Sequence, residues 1–138
     1  MGKQQSGFTL IELVAVIVIL GILAATAVPR FFNLQEQASQ AAVNGVAGSL
    51  ESASALNHAV AVAVAAGLTS SDADPFYTID NCTDADSLLQ NQALPSGYTI
   101  TAGAVAAGDT ATCTLNGVQG ATASFVIIGT EGGTDPDA

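Results

Sequence analysis

Residues 7–31, GFTLIELVAVIVILGILAATAVPRF, decide the fold, because they place one carboxylate inside a long apolar run. Glu12 is the only charged residue from Phe8 to Val28, and these 21 residues can cross a hydrocarbon core of about 30 Å as a helix. A carboxylate is costly inside a membrane, so its presence there indicates a function and requires a partner.

The partner of Glu12 can be inferred from helix geometry. Glu12 follows Phe8 by four residues and therefore lies on the same face of a helix. If the chain is cut before Phe8, Glu12 can neutralise the new α-amine in its own copy or in a neighbouring copy. Pairing between copies would also set their axial register. A glutamate that only sits at the membrane interface is the alternative interpretation.

This stretch resembles the N-terminus of type IV pilins and their pseudopilin relatives in Gly7, Phe8, Thr9, Leu10, Glu12, Gly21 and Pro29. The resemblance covers about residues 7–34. Within the family, the stretch PRFFNLQ at residues 29–35 and the small-residue helix after it are most similar to major type IVa pilins of the mannose-sensitive haemagglutinin type. It implies that a prepilin peptidase cuts between Gly7 and Phe8 and that Phe8 becomes N-methylphenylalanine. The assembly residues that it implies are Phe8, Glu12, Gly21 and Pro29.

The fold that this resemblance implies is the α+β pilin fold, a long N-terminal α-helix packed on a small antiparallel β-sheet head. Residues 1–7 would be the leader peptide and residues 8–28 the transmembrane and assembly helix. Residues 29–138 would form the pilin head. One compact domain beside a hydrophobic helix also suits a chain of 138 residues.

A secretory signal peptide is a competing interpretation of the same segment. Lys3 would be its charged region, Leu13–Leu23 its apolar region and Ala25–Ala27 its cleavage site. Cleavage after Ala27 would release a secreted acidic binding domain. Glu12 stands directly before the apolar region and the leader holds only one basic residue, which argues against this interpretation.

Within the head, hydrophobic periodicity predicts the elements. Apolar residues at three- or four-residue intervals predict an amphipathic helix over residues 29–66, with a kink near Pro29 and a stop at Gly67. Residues 67–97 form a connecting loop rich in Ser, Asp, Asn and Pro, with a short turn of helix around Ala85–Gln92.

The remaining residues predict a sheet and a tail. Residues 98–128 form the β-sheet, with alternation at Tyr98–Ala102 and Thr110–Leu115. Asn116-Gly117 predicts a two-residue hairpin, and the return strand would run from Val118 with a bulge near Gly120. Residues 129–138 would be an exposed acidic tail.

The two cysteines, Cys82 and Cys113, predict a disulfide in an exported chain. Such a bridge would contribute on the order of 3–4 kcal/mol by restricting the unfolded chain. It would tie the loop that leads into the sheet to one of the strands. Two free buried thiols are the alternative in a cytosolic protein.

The charge balance and the scarcity of catalytic residues exclude several functions. Two basic and twelve acidic residues give a net charge of −10, which disfavours nucleic acid as a partner and predicts a self-repelling surface. His58 is the only histidine, so a histidine-based metal site or a Ser–His pair is unsupported. We therefore expect no enzyme and no required cofactor.

The acidic loop holds weak candidates for calcium ligands. The carboxylates of Asp80, Asp84 and Asp86 offer the oxygen ligands that Ca²⁺ takes. Their spacing matches no EF-hand, so a solvated loop is the favoured interpretation.

The resemblance thus implies a structural subunit of a type IV pilus. Its precursor would lie in the bacterial inner membrane, and prepilin peptidase and the pilus assembly machinery would turn it into a homo-oligomeric helical filament outside the cell. Surface attachment is the use expected by analogy. The alternative is a pseudopilin of a type II secretion system, which shares the same N-terminus.

Overall fold

The computed structural model describes residues 7–69 and 76–136. The predicted leader lies outside the described residues except for Gly7. Two compact units divide the chain, one ending at Gln37 and the other beginning at Ala38. The architecture is a long N-terminal helix with a small three-stranded antiparallel sheet, which confirms the predicted α+β class.

Helix α1 runs from Leu10 to Ala65 and continues through Pro29 without interruption. Proline lacks the N–H that a helix interior uses, so it removes one backbone hydrogen bond of α1 at this point. The predicted stop at Gly67 is confirmed. Gly67 has a φ of +70°, its N–H donates to the Val64 carbonyl, and the N–H of Leu68 donates to the Ala63 carbonyl. These two hydrogen bonds form the Schellman motif, which ends a helix at a residue with positive φ. Glycine adopts this φ without a steric penalty, because it has no Cβ.

The sheet has the order β1-β2-β3, with β1 at Thr99–Ile100, β2 at Thr110–Asn116 and β3 at Thr122–Ile128. Every second residue of β2 and β3 points inward, and the core forms between these side chains and α1. Its fully buried members include Val43, Leu50, Leu115, Phe125 and Ile127. The predicted alternation on β2 is therefore confirmed.

The predicted two-residue hairpin is wrong. Asn116 pairs with Thr122, so the loop spans residues 117–121 and contains a 3₁₀ turn at Val118–Gly120. A type I′ turn needs positive φ at both central residues, whereas Gly117 has a φ of −105°. Gly117 also lies where a Cβ would come within 3.2 Å of the side chain of Val43.

The predicted bulge near Gly120 is also wrong. β2 and β3 pair without a break from Thr110↔Ile128 to Asn116↔Thr122. The return strand begins at Thr122 instead of Val118. The bulge was predicted because the apolar alternation from Val118 does not match that from Ala121 onward, and the longer loop removes this mismatch because Val118 lies outside the strand.

The free edge of β3 is partly covered by polar side chains of α1. Glu51 accepts a hydrogen bond from the Val126 N–H at 3.0 Å, and Ser54 accepts one from the Ile128 N–H at 2.9 Å. Gln40 donates to the Thr122 carbonyl at 2.8 Å. Exposed strand edges invite pairing with other chains, so these contacts protect the sheet as well as joining it to the helix.

The segment before the sheet forms a 3₁₀ helix at Cys82–Leu88, which begins earlier than the turn predicted around Ala85–Gln92. The tail differs more from expectation. Thr130 is only 4 % exposed and exchanges two backbone hydrogen bonds with Ile79. The prediction of an exposed tail from residue 129 onward is therefore wrong at its start. The apolar–polar pattern could not show this, because the partner residue, Ile79, lies about fifty residues earlier and belongs to an isolated bridge.

Candidate assembly site

The N-terminus of α1 is built around a reciprocal pair of hydrogen bonds between Thr9 and Glu12. The carboxylate of Glu12 accepts from the Thr9 N–H at 2.8 Å and from the Thr9 hydroxyl at 2.7 Å. The Thr9 hydroxyl in turn accepts from the Glu12 N–H at 3.3 Å. This arrangement is a capping box, which satisfies helix N–H groups that otherwise lack partners.

The capping box assigns a role to Thr9 that the sequence reasoning missed. The signal was available, because Thr9-x-x-Glu12 directly before an apolar run is the sequence pattern of a capping box. The box also fixes the position of Glu12. Its carboxylate is held within the first turn by Thr9, the residue that follows Phe8.

The predicted pairing of Glu12 with an α-amine requires the predicted cut between Gly7 and Phe8. With Gly7 attached, Phe8 contributes a peptide N–H and carries no charge. Phe8 is 87 % exposed, and Leu10 is 80 % exposed. The processing residues Gly7 and Phe8 thus lie at an accessible end of α1, and the roles predicted for them and for Glu12 stay predictions.

The apolar segment of α1 has no covering element in the part of the chain that the structure describes. Within α1, none of the most apolar segment is buried. The helix is long and apolar enough to cross a membrane. A helix that is hydrophobic on all sides needs a bilayer or other helices around it.

The other residues predicted for assembly lie along the same exposed surface. A Cβ added to Gly21 would meet no atom within 4 Å, so this glycine is not required by packing inside the monomer. Pro29 stands inside α1. Arg30 is exposed and forms no ion pair with any residue in ranges 7–69 and 76–136.

The predicted disulfide is confirmed. Cys82 and Cys113 are bonded, with their Cα atoms 5.7 Å apart and a sequence separation of 31. Cys82 begins the 3₁₀ helix and Cys113 lies in the middle of β2, so the bridge joins the connecting segment to the sheet. Both cysteines are at least 96 % buried, which places the bond inside the core.

The structure uses one of the candidate calcium ligands for another purpose. Asp84 is 4 % exposed, and its carboxylate accepts from the N–H groups of Asp80 and Asn81 at 3.0 and 2.8 Å. These bonds cap the 3₁₀ helix at Cys82–Leu88. Among the described residues, no three His, Cys, Asp or Glu side chains come together in a group that could hold a metal ion.

His58 lies on α1 in the head, half-buried, and its Nδ1 has no hydrogen-bond partner among the described residues. Among the described residues, His58 belongs to no group of three or more possible metal ligands, and Glu131 lines the same cavity.

The comparisons with known proteins agree with this geometry. Residues 2–28 match the prokaryotic N-terminal methylation motif, which includes Gly7, Phe8 and Glu12. The chain is 52% identical over 69 residues to the type IV narrow pilus major component PilA5 of Thermus thermophilus, a match that covers 50% of this chain and 56% of that protein. No solved structure matches the chain significantly.

Pseudopilins are also similar to this chain. The type II secretion system core protein G of Pseudomonas aeruginosa is 54% identical over 43 residues, which is 31% of this chain and 30% of that protein. The same protein of Aeromonas hydrophila is 55% identical over 38 residues, which is 28% of this chain and 27% of that protein. The chain thus spans between about a quarter and about half of the length of these relatives.

The described residues thus combine an uncovered apolar helix, one capped carboxylate at its start and a disulfide-bonded sheet. The methylation motif and the similarity to a type IV pilin support the type IV pilin family for this chain. The same matches point to a structural protein and not to an enzyme.

Proposed function

We propose that this chain is the structural subunit of an extracellular type IV pilus. Residues 8–28 hold its precursor in the inner membrane, prepilin peptidase cuts between Gly7 and Phe8, and the α-amine of Phe8 is methylated. The mature subunits then bundle their N-terminal helices into a filament. The observation that carries this proposal is the helix that stays uncovered over its whole apolar segment while holding one carboxylate at its tip.

The electrostatics of the tip support assembly through charge pairing. Inside a bundle of apolar helices, an unpaired Glu12 carboxylate and an unpaired Phe8 amine would each be strongly disfavoured. Pairing them removes both penalties at once. The capping box holds the carboxylate near the place where the amine is created, so a small rearrangement is enough to exchange the Thr9 N–H for an amine of the same or a neighbouring copy.

The exposed face of α1 in the head supports close helix packing. Opposite the core, the helix presents the exposed Leu56 beside small uncharged residues, namely Ala41, Gly45, Gly48, Ser52, Ala55 and Ala59. The hydroxyls of Ser49 and Ser52 donate to the carbonyls of Gly45 and Gly48, so these serines need no outside partner. Small residues on such a face allow the backbones of neighbouring helices to approach closely.

A pilus is favoured over a secretion pseudopilin by the extent of similarity, which reaches 69 residues for the pilin and 43 for the first pseudopilin. The pseudopilin remains the second candidate, because the identity over the shorter stretch is as high. In that role the same subunit would build a short periplasmic filament of an export machine. Surface attachment is the use that we propose for the pilus, by analogy at the level of the fold.

The mass of the mature protein tests the first step of this proposal. We expect a chain that begins at Phe8 and carries one added methyl group. A chain that begins at Val28 would instead show that the apolar segment is a cleaved signal peptide, and the filament proposal would fall. Surface shearing followed by electron microscopy then separates the two candidates, because a pilus is recovered outside the cell.

A further inference from the structure

The two basic residues of the chain stand on either side of its apolar segment. Lys3 precedes Phe8 by five residues and Arg30 follows Val28 by two, whereas the chain has twelve acidic residues. Cleavage after Gly7 would remove Lys3, so Arg30 would be the one basic side chain of the mature subunit. A single cation at the end of an apolar helix indicates an anionic partner at that level.

The structure leaves the Arg30 side chain available for such a partner. Arg30 is exposed, and it forms no ion pair within residues 7–69 and 76–136. The helix positions three and four residues before and after it hold no carboxylate. Glu36 is the next acidic residue, but it is six residues away and lies on another side of α1. The anion that neutralises Arg30 must therefore come from outside the part of the chain that the structure describes.

Two aromatic residues follow Arg30 directly and are exposed as well. Phe31 is 70 % exposed, and Phe32 is 68 % exposed. Successive residues of a helix point about 100° apart, so residues 30–32 surround more than half of α1 at one level. Side chains of a helix lean toward its N-terminus, which brings both rings back toward the apolar segment. Since α1 continues through Pro29 without interruption, this level is fixed relative to that segment.

We propose that Arg30, Phe31 and Phe32 form an interface anchor that binds the phosphates of anionic phospholipids and fixes the depth of α1 in the bilayer. This rests on the proposed function, because it requires that residues 8–28 span the membrane. The two rings favour hydrocarbon and draw the helix inward. The guanidinium binds phosphate through paired N–H donors and resists entry into hydrocarbon. These two opposing preferences are balanced at one depth.

The surroundings of the interface anchor favour a lipid surface as its partner. The uncovered apolar segment ends at Val28, and polar residues begin at Asn33 and continue at residues 35–37. The anchor therefore occupies the change from apolar to polar surface along α1. A bilayer has the same change between its acyl chains and its phosphates, and arginine fits there because its stem covers apolar surface while its charge stays outside. Arg30 also supplies an attraction to anionic lipids that an otherwise acidic subunit lacks.

The interface anchor also sets the level of Glu12. Glu12 and Arg30 are 18 residues apart in one continuous helix, so they stand about 27 Å apart along its axis. The hydrocarbon core is about 30 Å thick. An anchor at the phosphates of one surface therefore places the capped carboxylate near the other surface, where water reaches it. Glu12 would thus stay hydrated in the precursor and would be buried only when the subunit joins the filament.

Tryptophan fluorescence can measure these depths, because the chain contains no tryptophan. The single probes are Phe32→Trp at the anchor, Leu13→Trp beside Glu12 and Val18→Trp in the middle of the span, all at exposed positions. The full chain is reconstituted in vesicles of equal parts phosphatidylcholine and phosphatidylglycerol, with bromine at defined depths on the acyl chains. We expect the probe at residue 18 near the bilayer centre and the other two near opposite surfaces.

Arg30→Leu tests the anchor in each probe background. Without the guanidinium, the rings draw the helix inward, so the probe at residue 32 should move deeper by about 3 Å, or two helical residues. The probe at residue 13 should move toward the opposite surface by a similar distance. Arg30→Lys keeps a cation and should hold both probes in place. Gln35→Leu adds the same apolar side chain beyond the anchor and is the matched control, with no expected shift.

The choice of brominated lipid identifies the ligand. Bromine on phosphatidylglycerol alone should quench the probe at residue 32 at least about twofold more than bromine on phosphatidylcholine alone, and Arg30→Gln should abolish this difference. Equal quenching by the two lipids, or no movement of the probes in Arg30→Leu, would overturn the inference. Loss of filaments in Arg30→Gln at unchanged depth would assign Arg30 to a contact between subunits instead. If bromine at the bilayer centre does not quench the probe at residue 18, the segment does not span and the proposed function itself fails.

Discussion

Asn57 of α1 pairs with both backbone polar groups of Tyr77. Its side-chain oxygen accepts from the Tyr77 N–H at 2.8 Å, and its side-chain nitrogen donates to the Tyr77 carbonyl at 2.9 Å. The same nitrogen donates to the Thr130 hydroxyl at 3.2 Å, and that hydroxyl donates to the Tyr77 carbonyl at 2.6 Å. One helical side chain thus holds together two segments that lie far apart in sequence.

We expect Asn57→Ala to destabilise the head by about 1–3 kcal/mol, because the half-buried N–H of Tyr77 loses its partner and the Tyr77 carbonyl keeps only its bond from the Thr130 hydroxyl. The measurement is thermal unfolding of the detergent-solubilised full chain, followed by near-ultraviolet circular dichroism. Asn91→Ala, at an exposed position, is the matched control and should not change the transition. Equal transitions for the two variants would show that the Asn57 network adds nothing to stability.

The disulfide should be a second main support of the head. Replacing both Cys82 and Cys113 by Ser removes a bridge that closes a separation of 31 residues, and we expect a loss of about 2–5 kcal/mol. A reductant should lower the transition temperature of the wild type to that of the double variant and leave the variant unaffected. A reductant effect of equal size on both proteins would contradict this assignment.

Two glycines should respond in opposite directions to the same substitution. A Cβ on Gly129 would overlap the backbone carbonyl of Ala106, whereas a Cβ on Gly48 would meet no atom within 4 Å. Gly129→Ala should therefore destabilise the head by about 1–3 kcal/mol through strain. Gly48→Ala should stabilise α1 by about 0.5–1 kcal/mol, because alanine is the better helix former. Urea unfolding of the two variants measures both effects, and a shift of the same sign in both would refute the packing argument.

The part of the fold that sequence predicted was set by local chemistry. Gly67 ends α1 because a glycine after a helical stripe adopts positive φ, and the alternation at residues 110–115 became β2. The pair Cys82 and Cys113 became a disulfide. The helix end and the strand each depend on residues that lie close together in sequence. The disulfide depends on cysteines, and the chain has only two.

The part that sequence did not predict depends on distant neighbours. The turn after Asn116 places Gly117 where a Cβ would come within 3.2 Å of the side chain of Val43, which lies more than seventy residues earlier. Thr130 pairs with Ile79 through two backbone hydrogen bonds, and the hydrophobic pattern of the tail does not predict that partner. The capping role of Thr9 at the candidate site was not predicted for a different reason. It depends on nearby residues, and the pattern Thr9-x-x-Glu12 was sufficient to predict it.

Glu12 allows the assembly proposal to be separated from simple helix stability. Glu12→Gln keeps an acceptor for the Thr9 N–H and hydroxyl, so it should preserve the capping box while removing the charge. We expect normal membrane levels and normal cleavage, with a fall in sheared filaments of at least about tenfold, because the Phe8 amine loses its counter-charge. Glu36→Gln, on an exposed part of the same helix, is the control for removing a carboxylate.

The complementary variant is Thr9→Val, which removes the capping hydroxyl and keeps the charge of Glu12. It loses two of the three hydrogen bonds between these residues, and it should lower filament yield much less than Glu12→Gln. Quantitative immunoblots of membrane and sheared fractions give both readouts in one preparation. If Thr9→Val impairs assembly and Glu12→Gln does not, the carboxylate acts as a helix cap and not as the counter-ion of an amine.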